Sequence, residues 1–452
     1  MKKAIDIAKV SARASAALSL GMIVSNVILA VGTFLVAGFL SASEYGLYSI
    51  VLGVLAFFNF FQDLGMNSAI VKYTAQYRAE GREEEIKKIL ATGFLFDALL
   101  GAGLSLTAFA LSGLLAEVFG HRLEIKGLIE IASITIFSSS IMNASQSVFV
   151  GFEKTEFSSL TMILHAVLKS FVAPALVLLG YTIFGAVLGV IVASIAAAIF
   201  GITVFIFLFY KRLEANLKNF KREFKDSLAF MLRYGFPISI STILTGVLTQ
   251  FYNFLVYAYC DNISIANYQM ATNFTILIAF LTQPIAITLF PAFSKLDAER
   301  DGESLRKVFQ MSVKYGSLLV LPASVAIMVL SAPLVSTLFQ DKFISAPFYL
   351  SLLAIQSLYA GIGNLSINNL IMGQGKTKVV LKLTLLTFST GISLSLVLIP
   401  VFKVLGLLAT SLTAAVPNLL VGLWWIKKHF GVSIDKVTSG KLYLASGVAS
   451  AL

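Results

Sequence analysis

Long apolar stretches separated by short polar turns set the pattern of this chain. A helix rises about 1.5 Å per residue and a bilayer's hydrocarbon core is about 30 Å thick, so about 20 apolar residues make one crossing. By that ruler the sequence predicts twelve spans, at 14–40, 45–70, 89–114, 128–150, 157–180, 183–210, 231–259, 264–291, 312–337, 346–372, 379–400 and 404–426. The last apolar stretch, Leu442 to Leu452, is too short to cross. It lies at the interface or begins a truncated thirteenth helix, and truncation is the favoured expectation. Between spans six and seven, Lys211, Arg212, Lys218, Lys221, Arg222 and Lys225 mark a basic amphipathic linker. The expected organisation is a six-helix lobe over 1–210, a cytoplasmic linker over 211–230, a second lobe over 231–426 and a tail over 427–452.

The two lobes read as copies. Gly151-Phe152-Glu153-Lys154-Thr155 returns as Gly373-Gln374-Gly375-Lys376-Thr377, and Ser43-Glu44-Tyr45-Gly46-Leu47-Tyr48 is echoed by Ile263-Ser264-Ile265-Ala266-Asn267-Tyr268. Half-chain repeats of this kind mark membrane transporters. Six spans per half is an even number, so both copies enter the membrane in the same direction. The predicted fold is therefore an all-α integral membrane protein of two parallel six-helix pseudo-repeats.

Composition agrees and narrows the function. Hydrophobic residues make up 58% of 452 positions and charged residues 13%, about half the charge of a soluble domain. The net charge of +11 is a matter of topology. The odd-numbered loops hold only Arg122, Lys126, Lys342 and Lys403 of the 34 Lys and Arg. Both ends of the twelve-helix core are thus expected in the cytoplasm of a multi-pass cell-membrane protein, with basic residues toward anionic membrane lipids and no nucleic-acid partner. Lys2, Lys3, Lys9 and Arg13 precede what reads as a retained first span, not a cleaved signal.

Enzymatic signals are thin. Gly375-Lys376-Thr377 resembles the end of a P-loop, but Leu370 stands where that pattern needs glycine. The lone Cys260 and the scattered His121, His165 and His429 offer no metal site, and no cofactor is expected. External loops are too short for the sugar-binding residues of a membrane glycosyltransferase or ligase.

Polar residues inside the spans carry the candidate chemistry, because charge in hydrocarbon is expensive. Asp63, Asp97 and Lys169 read either as a proton- or Na⁺-responsive site or as an internal salt bridge that fixes packing. His165, one turn before Lys169, reads as a packed neutral residue. Arg13 and Arg233 open spans 1 and 7; they either flank a cleft and hold a diphosphate bidentately or snorkel to headgroups. Asn26, Asn59, Gln62, Gln250, Tyr252, Asn253 and Asn273, with Asn267 and Gln269, gather in spans 1, 2, 7 and 8. Singly they are helix-packing glue; together they suggest a polar cavity for sugar hydroxyls. Pro174, Pro237, Pro284, Pro322 and Pro400 interrupt or cap spans.

Glu44-Tyr45-Gly46-Leu47-Tyr48, then Asp63-Leu64-Gly65-Met66-Asn67-Ser68-Ala69-Ile70, then Tyr234-Gly235-Phe236-Pro237 and the two Gly-x-x-Lys-Thr turns occur in an informative order. With Leu398-Ile399-Pro400 before Gly406-Leu407-Leu408-Ala409, the whole chain resembles the polysaccharide transporter (Wzx-like oligosaccharide flippase) family of the MATE/MurJ-like MOP superfamily. The resemblance implies export of an oligosaccharide linked to polyprenyl or dolichyl (di)phosphate by alternating access, coupled to H⁺, Na⁺ or membrane potential and not to ATP. Many relatives carry Asp-Arg where this chain has Tyr252-Asn253, so that coupling role does not carry over. The alternative on the same fold is a MATE-type small-molecule or cation antiporter.

Overall fold

The computed structural model describes residues 2–119, 122–213, 220–298 and 300–451, and among them there is no strand. His121 and linker residues 214–219 lie outside the described set. The α-helices of the first part are α1 (Lys2–Phe39), α2 (Ala42–Asn59), α3 (Met66–Glu80), α4 (Glu83–Val118), α5 (Lys126–Ala132), α6 (Ile134–Gly151), α7 (Thr155–Leu176) and α8 (Thr182–Val204). They continue as α9 (Phe220–Tyr259), α10 (Asn262–Phe274), α11 (Ile276–Ser294), α12 (Gly302–Phe339), α13 (Ala346–Ser357), α14 (Asn364–Gly373), α15 (Thr377–Phe430) and α16 (Lys436–Ala451).

Among the described residues six helical segments are long and apolar enough to cross a membrane, or seven if Ala346–Ile362 and Asn364–Gly373, bent by 51°, count as one. That makes this a multi-pass membrane protein, but the expected twelve spans are not reached by this measure. Part of the shortfall is merging. Thr155–Arg212 runs for 58 residues and Thr377–Phe430 for 54, about 87 and 81 Å if straight, more than twice the hydrocarbon thickness. Both turn back on themselves. Thr182 takes φ 44° and ψ −132° just after Gly180 at φ 92°, and Lys403 takes φ 54° and ψ −129°. α8 then packs along α7. Beyond Lys403, Thr390 Oγ1 donates to Ala414 O at 3.3 Å and Asn418 Nδ2 donates to Thr387 Oγ1 at 2.8 Å. Another part is breakage. The stretch expected as span 2 is non-helical at Phe60–Gly65, and the one expected as span 10 bends at Gly363, φ 87°. Pro322 and Pro400 lie inside α12 and α15, and Pro174 inside α7 just before a π-helical turn.

Local geometry recurs in the second half. Ser41 caps α2 and Asp261 caps α10, each accepting the N–H three residues on, from Glu44 and Ser264. The thr-terminated turns also match: Lys154 N donates to Phe149 O at 2.8 Å, and Lys376 N to Ile371 O at 3.0 Å. Their left-handed residues, Glu153 at φ 58° and Gly375 at φ 70°, hold the same place. Neither turn is a nucleotide cradle. Arg78 Nη1 donates to Phe152 O at 2.6 Å, while Gln374 Nε2 donates to Phe293 O and Leu296 O, both at 2.8 Å. The turns clamp neighbouring helix ends.

Two compact units emerge, Met1–Gln250 and Phe251–Leu452. The division falls within α9, not in the stretch 211–230. The reason is visible in the first unit, where most of α9 is packed. Phe230 and Tyr234 lie against the Tyr73 ring at 4.5 and 5.5 Å, and Phe60 fills the space beside Gly246. In the same unit α1 and α7 run parallel through two identical interlocks. Ser159 Oγ donates to Ala17 O at 2.9 Å and Ser170 Oγ to Ile28 O at 2.8 Å, each serine seated against a glycine, Gly21 or Gly32. Small residues let backbones approach where lipid offers no hydrophobic drive. In the second unit Phe293, Phe309, Leu370 and Ile426 are fully buried at the centre of the core.

Candidate functional site

The break at Phe60–Gly65 is where side-chain chemistry concentrates. Backbone groups freed at a packed helix break must find partners, and here the surrounding protein supplies them. Leu64 and Gly65 take φ 42° and 85°, a reversal that leaves α3 without a continuous helical lead-in. Asp63 covers the exposed end: Met66 N donates to its carbonyl and Asn67 N to its Oδ1, both at 2.8 Å. Gln62, 3% exposed, stitches the break to α6 and α2, its Nε2 shared among Ile136 O at 2.6 Å and Ser139 Oγ at 2.9 Å on α6 and Asn59 Oδ1 at 2.7 Å on α2. Ser147 Oγ adds a bond to Asn67 Oδ1 at 2.9 Å. α9 closes the other side. A Cβ on Gly235 would lie 2.5 Å from the Gly65 carbonyl carbon, so the two glycines meet backbone to backbone.

Asp97 lies in this neighbourhood on α4. It is 1% exposed, and its two carboxyl oxygens receive no hydrogen bond from any described group. Its backbone carbonyl is engaged, accepting from Ser140 Oγ at 2.6 Å. Asp97 is tied to the break through α6, where Ser140 adjoins Ser139, a partner of Gln62. The structure therefore joins Asp63 to Asp97, Asn59 and Gln62. Lys169 stays apart: it sits on α7, which packs chiefly on α1, α6 and α8. No ion pair links Lys169 to either aspartate among the described residues.

The family profile described as "Polysaccharide biosynthesis protein" matches residues 35–348, a stretch that contains this break and the whole of α4 and α9. The chain belongs to that family. It is 24% identical over 410 residues to an uncharacterized membrane protein, MJ1375, of Methanocaldococcus jannaschii, covering 88% of this chain and 94% of that one. It is also 24% identical over 383 residues to the lipopolysaccharide biosynthesis protein WzxC of Escherichia coli, covering 84% and 71%. The structure of the lipid II flippase MurJ, in an inward closed conformation, superposes with a TM-score of 0.76 at 16% identity, over 96% of this chain and 91% of that one. At that identity the likeness is one of fold.

Within this family member the remaining candidates divide. Arg233 is exposed on α9 beside Tyr234, and the Tyr234 ring also receives Lys72 Nζ at 3.8 Å from its centroid. Neither cation has an acidic partner among the described residues. Arg13 lies on α1, but its side chain is outside the described set, as are those of Pro237 and Pro284. Asn26 is half-buried on α1 and makes no hydrogen bond to a described residue. Gln250 is buried, while Tyr252 and Asn253 beyond it on α9 are half-buried. In the second unit Gln269 Nε2 donates to Asn273 Oδ1 at 3.4 Å. Asn267 is structural: its Oδ1 accepts from Ser345 N and Ala346 N, both at 2.9 Å, and starts α13.

Sequence reasoning missed the partners on α6. Ser138, Ser139, Ser140, Asn143 and Ser147 form an unusually polar run for a membrane span, and that run was the available signal. It also missed the pairing of Gly65 with Gly235, for which adjacency in sequence offers no clue.

Proposed function

We propose that this protein is a flippase that moves a lipid-linked oligosaccharide across the cell membrane for polysaccharide or glycoprotein assembly, as a transporter and not an enzyme. The observation that carries this reading is family membership over residues 35–348, which takes in the intramembrane break and its polar lining. Twelve crossings in two parallel six-helix repeats, both ends of that core cytoplasmic, fit the reversals at Thr182 and Lys403 and the recurring caps and turns. In this reading 211–230 links the lobes on the cytoplasmic side. Alternating access would let a polyprenyl or dolichyl (di)phosphate headgroup enter near Arg13 and Arg233 while its tail stays in lipid. Arg233, without an acidic partner among the described residues, suits a phosphate, since a guanidinium offers a planar, bidentate fork. Asn26, Asn59, Gln62, Gln250, Tyr252, Asn253 and Asn273 would offer uncharged hydrogen bonds to the glycan. Asp63, Asp97 and Lys169 would respond to a coupling ion, H⁺ or Na⁺.

The test is translocation of a polyprenyl-diphosphate oligosaccharide in proteoliposomes. Wild-type protein should move it, and the double variant Arg13→Ala with Arg233→Ala should lose at least tenfold in rate while inserting normally. Unchanged transport in the double variant removes the headgroup contact. Movement of a quaternary cation dye, with no glycan movement, would instead support the antiporter alternative.

A further inference from the structure

The second unit carries a cavity of about 200 Å³ where α12 and α16 begin. Lys307, Gln310 and Lys314 of α12 line one side, and Asp435, Thr438 and Ser439 the other. The two lysines stand seven residues apart, two turns along one face. Gln310 Nε2 fastens the two sides together by donating to Ser433 O at 3.2 Å. Lys314 makes no ion pair among the described residues, and its ammonium lies 5.9 Å from the Tyr315 ring centroid. Lys307 pairs with Glu303 at 2.7 Å, but both groups are largely exposed, and such pairs exchange partners at little cost. Asp435 is the one carboxylate in the lining, and it is spent on the first turn of α16. Its Oδ1 accepts from Val437 N at 3.1 Å and Thr438 N at 3.2 Å, and its Oδ2 from Thr438 Oγ1 at 2.5 Å. Two lysines against one carboxylate leave the lining with one net positive charge.

We propose that this cavity, with Lys307 and Lys314, holds the phosphate headgroup of an anionic phospholipid that bridges α12 and α16. The cavity is smaller than the roughly 300–1,000 Å³ of sites for whole small-molecule ligands, so it suits a headgroup and not an oligosaccharide or a nucleotide. Lysine binds phosphate as a point charge and needs no bidentate fork. A lipid is favoured over a free anion by what continues from the lysines. Lys307, Met311, Lys314 and Leu318 follow one another at spacings of three or four residues, so they share one face of α12. All four are exposed, Met311 by 52% and Leu318 by 50%. The same segment, Gly302–Phe343, is long and apolar enough to cross a membrane. A headgroup at the cavity therefore has its acyl chains against the apolar continuation of that face. The N–H groups of Val437 and Thr438 are no part of the site, since Asp435 occupies them. The proposal rests on the membrane assignment and not on the flippase reading; only the leaflet, the cytoplasmic one, follows from the topology proposed above.

The test is native mass spectrometry of the full-length protein in detergent, titrated with phosphatidylglycerol or with phosphatidylcholine of the same chains, with no glycan added. Wild type should prefer phosphatidylglycerol. Near a membrane surface each lysine contributes about fivefold to binding an anionic lipid. Lys307→Ala and Lys314→Ala should therefore lose about fivefold each and about 25-fold together, while Lys314→Arg keeps the affinity. Lys378→Ala with Lys382→Ala, exposed on α15 and outside the cavity lining, should change it less than about twofold. Because Lys307 and Lys314 are exposed, their double variant should keep the wild-type Tm without lipid. Phosphatidylglycerol should then raise the Tm of wild type and not that of the variant. No lipid preference in wild type, or a double cavity variant that binds like wild type, overturns the proposal. Equal losses in the two double variants do so as well, by reducing the effect to general surface charge. Displacement by millimolar inorganic phosphate would assign the cavity to a free anion, and tighter Lys314-dependent binding of a polyprenyl phosphate would assign it to the transported lipid; either overturns it. None of these readouts involves transport, so failure here leaves the flippase reading untouched.

Discussion

Gly235→Ala sets two effects of opposite sign against each other. Gly235 lies inside α9, where alanine is the better helix former by up to about 1 kcal/mol. The same methyl would stand 2.5 Å from the Gly65 carbonyl carbon and 3.0 Å from its Cα, against an ordinary contact of 3.4–4 Å. The obstacle is backbone, so no rotamer change relieves it. Gly65 is also held at φ 85° by the reversal it completes and has little freedom to yield. Overpacking against such a wall costs about 1–3 kcal/mol and sometimes more. The clash should win, with a net destabilisation of up to about 2 kcal/mol after the propensity gain is subtracted. The measurement is thermal unfolding in detergent beside Gly103→Ala, since a Cβ on Gly103 meets nothing within 4 Å. That control should be neutral or slightly stabilised. If Gly235→Ala behaves like the control, α9 does not press on the break, and the packing that holds Asp63 is wrong.

Gly32→Leu should destabilise by about 2–4 kcal/mol, because its Cβ would lie 2.5 Å from Ser170 Cα and the Ser170–Ile28 bond would be lost; SDS-titrated unfolding measures this, and Gly21→Leu should behave alike. Asn267→Ala leaves the N–H groups of Ser345 and Ala346 unpaired beside a side chain only 3% exposed, a loss of about 2–4 kcal/mol read by the same unfolding assay. For Asp261, burial raises the carboxyl but the hydrogen bonds from Ser264 outweigh it, so the group ends below its ordinary value. A lowered carboxylate adds stability above its unfolded value and loses it as pH falls through the folded one. Stability of the wild type should therefore drop on acidification below the ordinary carboxylate range, and Asp261→Asn, which keeps a capping oxygen, should flatten that drop.

The sequence by itself determined the class of fold, the family and the sites where the chain must turn. Apolar run length against bilayer thickness is a one-dimensional property, and so is the spacing of Glu44-Tyr45-Gly46 from Asp63-Leu64-Gly65. The caps at Ser41 and Asp261 and the left-handed turns at Glu153 and Gly375 are local too, settled within four residues. Where runs join, the apolar pattern places the breaks, between 180 and 183 and between 400 and 404, and the backbone angles at Thr182 and Lys403 give the turns their geometry. The candidate site was legible by residue type and not by partner. Asp63, Asp97, Asn59 and Gln62 stood out as polar groups in hydrocarbon, yet so did Lys169, and nothing in the spacing separates them. Asp63 takes its donors from Gly65 and Asn67, within four residues, whereas only packing decides that Asp97 receives none and that Lys169 lies on a helix facing other neighbours. Hydrogen bonds and close glycine contacts form between segments far apart in sequence, as Gly65 with Gly235. Their energies depend on distances of a few tenths of an ångström, which tertiary structure alone sets.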